Sequence, residues 1–139
     1  MSPMIGALNS ALSGLGAAAY GAAVTANNIA NLNTTGRPGA AASGATGEGV
    51  AYQAQAAVNV SGAAGQGVQS QARLVSPPTL LRYDPTSAFA SDSGQVEAPN
   101  VDLADQSVNL ISATQAYRAN ASSFRAADDM LKQLIDNVA

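Results

Sequence analysis

Residues 5–29 read I-G-A-L-N-S-A-L-S-G-L-G-A-A-A-Y-G-A-A-V-T-A-N-N-I. Within them Ile5, Leu8, Leu12, Leu15, Ala19, Ala22, Ala26 and Ile29 recur at alternating spacings of three and four, the heptad of a helix with one apolar seam. No charged side chain occurs before Arg37. A helix without charge on any face has little to offer water, so it needs neighbours on most sides. Ser2-Pro3 supplies a start signal, serine as the cap and proline at the first helical position, where its missing N–H costs nothing. Gly36 and Pro38 stop the helix, which is predicted to end near Asn31 or Asn33. Its length, roughly 45 Å, exceeds the width of a compact domain of this size. Each interior glycine costs about 1 kcal/mol relative to alanine, but glycine and alanine also let backbones approach closely.

The far end carries a matching segment over roughly residues 100–138. Its apolar stripe runs through Leu103, Leu110, Ala113, Tyr117, Ala121, Phe124, Ala127, Leu131, Leu134 and Val138, widened by Ile111 and Ile135. Asn100 or Asp102 is predicted to cap it, and Asp102 and Asp105 complement the helix dipole. Between the helices, residues 36–49 form a linker by their glycine and alanine content. The period then falls to two over residues 50–60, a half-buried strand. Residues 61–67 read as a glycine-rich turn, residues 68–74 as a second strand ending at Pro77-Pro78, and residues 80–83 as a short third strand. The polar run from Thr86 to Gln95 reads as a loop. The expected fold is mainly α with a small β region. Long N- and C-terminal helices pair as a coiled coil, with a β-hairpin or three-strand insert between them. The organisation is an N-terminal helix at 1–35, a linker at 36–49, a β region at 50–98 and a C-terminal helix at 99–139.

Composition narrows the function. Hydrophobic residues make up 47%, but many are alanine and aromatics reach only 4%, so a thick self-contained core is hard to build. The formal charge is -3, and the six basic residues do not cluster, which argues against a nucleic-acid partner. Cysteine and histidine are absent, which removes the usual nucleophile–base pairs and zinc ligands. No catalytic, cofactor-binding or metal-binding residues are expected, and no small-molecule substrate. Asp102/Asp105 suit a helix N-terminus and Asp128/Asp129 a solvated flank. Gly14-Leu15-Gly16-Ala17-Ala18-Ala19 has the spacing of a dinucleotide fingerprint but lies inside a helical heptad with no preceding strand. The N-terminus lacks the basic segment of a secretory signal, and its uncharged stretch is diluted by glycine, serine and asparagine. An anchor at a membrane surface is the alternative from a different class. Two helices that outrun the short middle favour assembly with other chains.

Two stretches carry a resemblance. Residues 26–36, A-N-N-I-A-N-L-N-T-T-G, resemble the signature that closes the N-terminal helix of bacterial flagellar axial proteins, the rod, hook and hook-associated proteins. Residues 99–120, P-N-V-D-L-A-D-Q-S-V-N-L-I-S-A-T-Q-A-Y-R-A-N, are similar to the C-terminal helix of the same family. The signature positions are Asn27, Asn28, Asn31, Asn33, Pro99, Asn100, Val101 and Asp102. Tyr52-Gln53-Ala54, Gly67-Val68, Leu81-Arg82-Tyr83-Asp84-Pro85 and Gly94-x-Val96 follow the landmark order of its proximal rod subunits. Another axial subunit, the proximal partner or a short distal-rod type, is the nearest alternative. The resemblance implies a structural subunit of the periplasm-spanning rod, without enzymatic activity. It implies helical assembly with copies of itself and other rod proteins, and contact with the inner-membrane ring and the export apparatus. Export without a cleaved signal peptide and transmission of torque follow from the same resemblance. It also implies that Ile5, Leu8, Leu12, Leu15 and Ile29 pack against Leu110, Tyr117, Phe124, Leu131 and Leu134.

Overall fold

The computed structural model describes residues 2–62 and 67–137, with side chains from Ile5 onward. The Ser2 side-chain cap, residues 63–66 of the expected turn and Val138 at the end of the stripe lie outside the described residues. The elements in order are α1 (Ser2–Ala30), β1 (Gln55–Ser61), β2 (Val68–Leu74), β3 (Thr79–Tyr83), β4 (Gln95–Pro99) and α2 (Leu103–Asp136). The expected class is borne out: long terminal helices of 29 and 34 residues flank short strands. β1 pairs with β2 and β3 with β4, each pair forming a separate two-stranded sheet. β4 was not expected, because its sequence Q-V-E-A-P looks like the approach to a helix. It forms because β3 pairs along one edge and Gly36 bonds the other, with Val96 and Ala98 buried between them and the rest of the unit.

The chain divides into two compact units. One comprises Met1–Ala23, Ala57–Gln71 and Asn109–Ala139. Its buried hydrophobic residues are Ala11 and Ala18 of α1 and Ala127 of α2. Gly14, between those alanines, lies against Asn120, and a methyl group on Gly14 would collide with that side-chain amide. Helices this close need small residues at the crossing, and each supplies them at heptad spacing. The Ser13 hydroxyl accepts the Val68 N–H at 3.1 Å and donates to the Ser10 carbonyl at 2.9 Å, tying the start of β2 to α1. Near the Asp136 end of α2, Asp128 and Lys132 form an exposed ion pair one turn apart, which contributes little.

The other unit comprises Val24–Ala56 and Ala72–Val108. β3 and β4 run antiparallel, with Leu81 opposite Glu97 and Tyr83 opposite Gln95. The outer edge of β4 is closed by Gly36, which exchanges two 2.9 Å bonds with Glu97. Val24, Ala51, Ala54, Val96 and Ala98 are the unit's buried hydrophobic residues. Residues 50–54 tie into the unit through Tyr52 N–H to the Thr34 carbonyl at 3.0 Å and Ala54 N–H to the Pro78 carbonyl at 3.0 Å. Gly36 sits between β4 and this segment, where a Cβ would run into the Ala51 amide nitrogen and the Gly49 carbonyl. Both obstacles are backbone, so neither can swing away. Gly36→Ala is therefore expected to destabilise this unit by about 1–3 kcal/mol, the usual scale of overpacking. Thermal denaturation of the purified variant checks this, and an unchanged midpoint would refute the constraint.

Candidate functional site

The two helices sort their residues by size. On α1 the positions buried or half-buried at heptad spacing are Ala11, Gly14 and Ala18, followed by Gly21, Thr25 and Asn28. On α2 the corresponding row is Gln106, Ala113, Asn120 and Ala127. Small and amide side chains thus face the chain's own interior. The large residues lie about one position away, roughly a third of a helical turn round. Leu12 is 58% exposed, and Ile5, Leu110, Tyr117, Phe124 and Leu134 are also exposed. Leu8, Leu15, Ile29 and Leu131 are half-buried. Val108, Ile111, Met130 and Ile135 extend the exposed apolar surface of α2. In all of α2, Ala127 alone among the described residues is buried. A surface this apolar on both helices is what a subunit interface looks like before its partner arrives.

The signature residues have separate roles, and Asn28 carries the most. It is 2% exposed and makes four hydrogen bonds. Its Nδ2 donates to the Gln55 carbonyl at 2.7 Å and to Gln106 Oε1 at 3.0 Å. Its Oδ1 accepts the Gln55 N–H at 3.1 Å and the Tyr52 hydroxyl at 3.0 Å. That uses the full capacity of an amide side chain. Asn28 stands in for a strand neighbour, satisfying both backbone groups of the first residue of β1, and through Gln106 it also fixes α2. Burial pushes the Tyr52 phenol above its ordinary value of 10.0.

The other signature positions serve the ends of the helices. Asn31 Nδ2 donates to the Asn27 carbonyl at 2.9 Å and Asn31 Oδ1 accepts the Thr34 hydroxyl at 3.2 Å, closing the turn after α1. Asn27 and Asn33 are exposed. Asn100 donates through its backbone to the Pro78 carbonyl at 3.1 Å and through its side chain to the Pro77 carbonyl at 2.8 Å. Asp102 is the cap of α2: its Oδ1 accepts the N–H groups of Ala104 at 2.7 Å and Asp105 at 3.2 Å. Pro99 is buried and Val101 half-buried beside them. The roles of Gln106, Tyr52 and Gln55 in the Asn28 network were missed from sequence. Only the crowding of asparagines near the end of α1 pointed toward it, and nothing in the spacing identified the partners.

Glu97 is the one buried acid among the described residues. Its Oε1 accepts the Thr79 hydroxyl, and its Oε2 has no partner among the described residues. The described residues include no cluster of three or more metal-ligating side chains, and no helix among them is long and apolar enough to cross a membrane.

Two family models match the chain. One, described as "Flagella basal body rod protein", covers residues 8–36. The other, "Flagellar basal body rod FlgEFG protein C-terminal", covers residues 92–137. Relatives described as "Flagellar basal-body rod protein FlgC" are similar to it. The Bacillus subtilis protein is 39% identical over 56 residues, 40% of this chain and 37% of that relative. The Borreliella burgdorferi protein is 36% identical over 62 residues, 42% of this chain and 41% of the relative. The Escherichia coli O6:H1 protein is 31% identical over 113 residues, 78% of each chain. The matched stretch thus spans less than half of the first two relatives and more than three quarters of the third.

Proposed function

The chain belongs to the FlgC family of flagellar basal-body rod proteins, and from that membership we propose that it is a non-enzymatic structural subunit of the proximal rod. In this reading it spans the periplasm as part of the rod. Residues 1–35 and 99–139 form the rod core, residues 36–49 the linker and residues 50–98 the β region. The terminal helices meet those of neighbouring copies and of other rod proteins. Ile5, Leu8, Leu12, Leu15 and Ile29 pack against Leu110, Tyr117, Phe124, Leu131 and Leu134 across subunit boundaries. The base of the assembly meets the inner-membrane ring and the export apparatus.

One observation carries the reading. Apart from the buried Val24, both helices direct small residues inward and leave their large apolar residues exposed or half-buried. Burying each such side chain against a neighbour contributes about 1.5–3 kcal/mol, and several per subunit give a cohesive array. Head-to-tail contacts that do not close into a ring generate an open helical tube. Torque then passes through dense packing and interlock, with no chemical turnover.

The test is location. An epitope-tagged chain in the native bacterium is expected in purified basal bodies, with immunogold label along the segment between the inner-membrane ring and the distal rod. Label confined to the distal rod assigns it to another axial position. Absence from basal bodies, together with flotation on liposomes, overturns the proposal in favour of a membrane-surface adaptor.

A further inference from the structure

The register of β3 with β4 determines which backbone groups of β3 are left without partners. Asp84 N–H donates to the Gly94 carbonyl at 2.9 Å and Asn100 N–H to the Pro78 carbonyl at 3.1 Å. Between those two bonds the hydrogen-bonded pairs of an antiparallel ladder alternate. Leu80 and Arg82 therefore turn their N–H and C=O toward β4, opposite Ala98 and Val96. Thr79, Leu81 and Tyr83 turn theirs to the other edge. Among the described residues no backbone group bonds to that edge. β4 illustrates the covered condition, because Glu97 exchanges both of its outward bonds with Gly36.

The side chains of β3 agree with its backbone. Leu80, Leu81 and Tyr83 are exposed, the last two at 61% and 72%, and they lie on both faces of the strand. Edge strands that stay free are protected by charge, proline or a bulge. β3 has one arginine and neither of the other devices between Thr79 and Tyr83.

We propose that β3 accepts an extended segment of a second copy of this chain, which adds a strand at the open edge within the assembly. The inference rests on the reading that copies assemble together. The size of the surface indicates such an occupant. An edge with three outward residues and their side chains buries a few hundred Å², far below the ~1,200 Å² at which free-standing complexes become stable. The added strand must therefore arrive already held by a larger contact, as a neighbouring copy would be by its helices, at millimolar effective concentration. The chain also carries a suitable strand. The β1–β2 ribbon is itself two strands wide, with seven residues in each strand. β1, Q-A-A-V-N-V-S, has no charge to oppose Arg82, whereas β2 brings Arg73. The neighbour's β1 is the better fit.

Hydrogen exchange on purified rods and on the free full-length chain tests the proposal. The amides of Thr79, Leu81 and Tyr83 are expected to exchange at least about tenfold more slowly in rods than in the free chain. Leu81→Pro removes only an outward N–H and breaks no internal bond. In that variant the Thr79 and Tyr83 amides should stay fast in rods, while Leu81→Ala, which keeps its N–H, should remain protected. A photoreactive phenylalanine analogue at position 83 should yield adducts of the chain with itself.

Rods that contain the chain but leave these amides at free-chain rates overturn strand addition and leave the rod reading intact. Equal protection in Leu81→Pro rods also overturns it, since simple occlusion would then suffice, and adducts only with a different protein overturn the second-copy occupant. A chain missing from rods overturns both inferences together. If Leu81→Pro fails to fold, the wild-type comparison still decides.

Discussion

Leu12→Asp and Phe124→Asp are each expected to leave the isolated chain folded and to eliminate it from the rod. Leu12 is 58% exposed in the single chain, where substitutions shift stability by about 0.5 kcal/mol or less. Phe124 is 36% exposed, so its replacement also gives up some burial within the chain, at a cost of about 1 kcal/mol. In the proposed assembly the same positions sit against neighbouring helices. An aspartate there loses its water without gaining a partner, which costs several kcal/mol per contact. Because every subunit carries the change, the penalty repeats at each step of growth. Circular dichroism of both purified variants and the thermal melt of Leu12→Asp should match the wild type, with the melt of Phe124→Asp only modestly lowered, while swimming halos vanish and basal bodies lack the chain. Ala18→Asp should behave in the opposite order, since Ala18 is buried within the chain's own fold and its replacement unfolds the first unit before assembly is attempted. Normal swimming in either surface variant would refute the interface.

The same size segregation explains what was legible in the sequence. Helices at both ends, their approximate limits and the Asp102 cap follow from local signals: an unbroken heptad, a glycine–proline stop and an acid ahead of an apolar run. The inward face did not follow. The heptad traced through Ile5, Leu8, Leu12 and Leu15 follows bulk, whereas close helix packing selected Ala11, Gly14 and Ala18, about one position round. Two rows with the same period can coexist on one helix, and periodicity alone does not say which belongs to the chain and which to its neighbours. β4 was hidden for a different reason. Its burial comes from tertiary partners, β3 on one edge and Gly36 on the other, so Q-V-E-A-P has no alternation of its own to display. The segment before β1 was read as strand from Val50, but pairing begins at Gln55. Residues 50–54 precede the strand and are held by backbone bonds from Tyr52 to Thr34, from Ala54 to Pro78 and from Val75 to Ala54.

Asn28→Ala is expected to be the most damaging single truncation in the second unit, costing about 3 kcal/mol or more. The change strips partners from the Gln55 N–H and carbonyl, the Tyr52 hydroxyl and the Gln106 side chain at once. A buried group left unsatisfied costs about 1–3 kcal/mol, and water can recover only part of this where the site is half-open. Asn28→Asp discriminates a hydrogen-bond hub from a merely well-packed residue. It has nearly the same shape and keeps the two acceptor contacts, but it turns a carboxylate oxygen toward the Gln55 carbonyl and Gln106 Oε1. It should therefore be about as damaging as alanine. Tyr52→Phe, which removes one of the four bonds, should cost about 1 kcal/mol. The phenol also sets a pH signature. Burial raises its folded-state pKa above the ordinary 10.0, so the stability it contributes is complete below pH 10.0 and is lost as pH rises through the higher folded value. Wild-type melts should fall on the alkaline side of that point, and those of Tyr52→Phe should fall less steeply. Exchange of the Val96 and Ala98 amides reports on the same unit and should quicken in Asn28→Ala in proportion to its lost stability. An alanine variant within about 0.5 kcal/mol of wild type, with those amides still protected, would mean that the four bonds are replaced by water at little cost and that Asn28 is not what joins α1, β1 and α2.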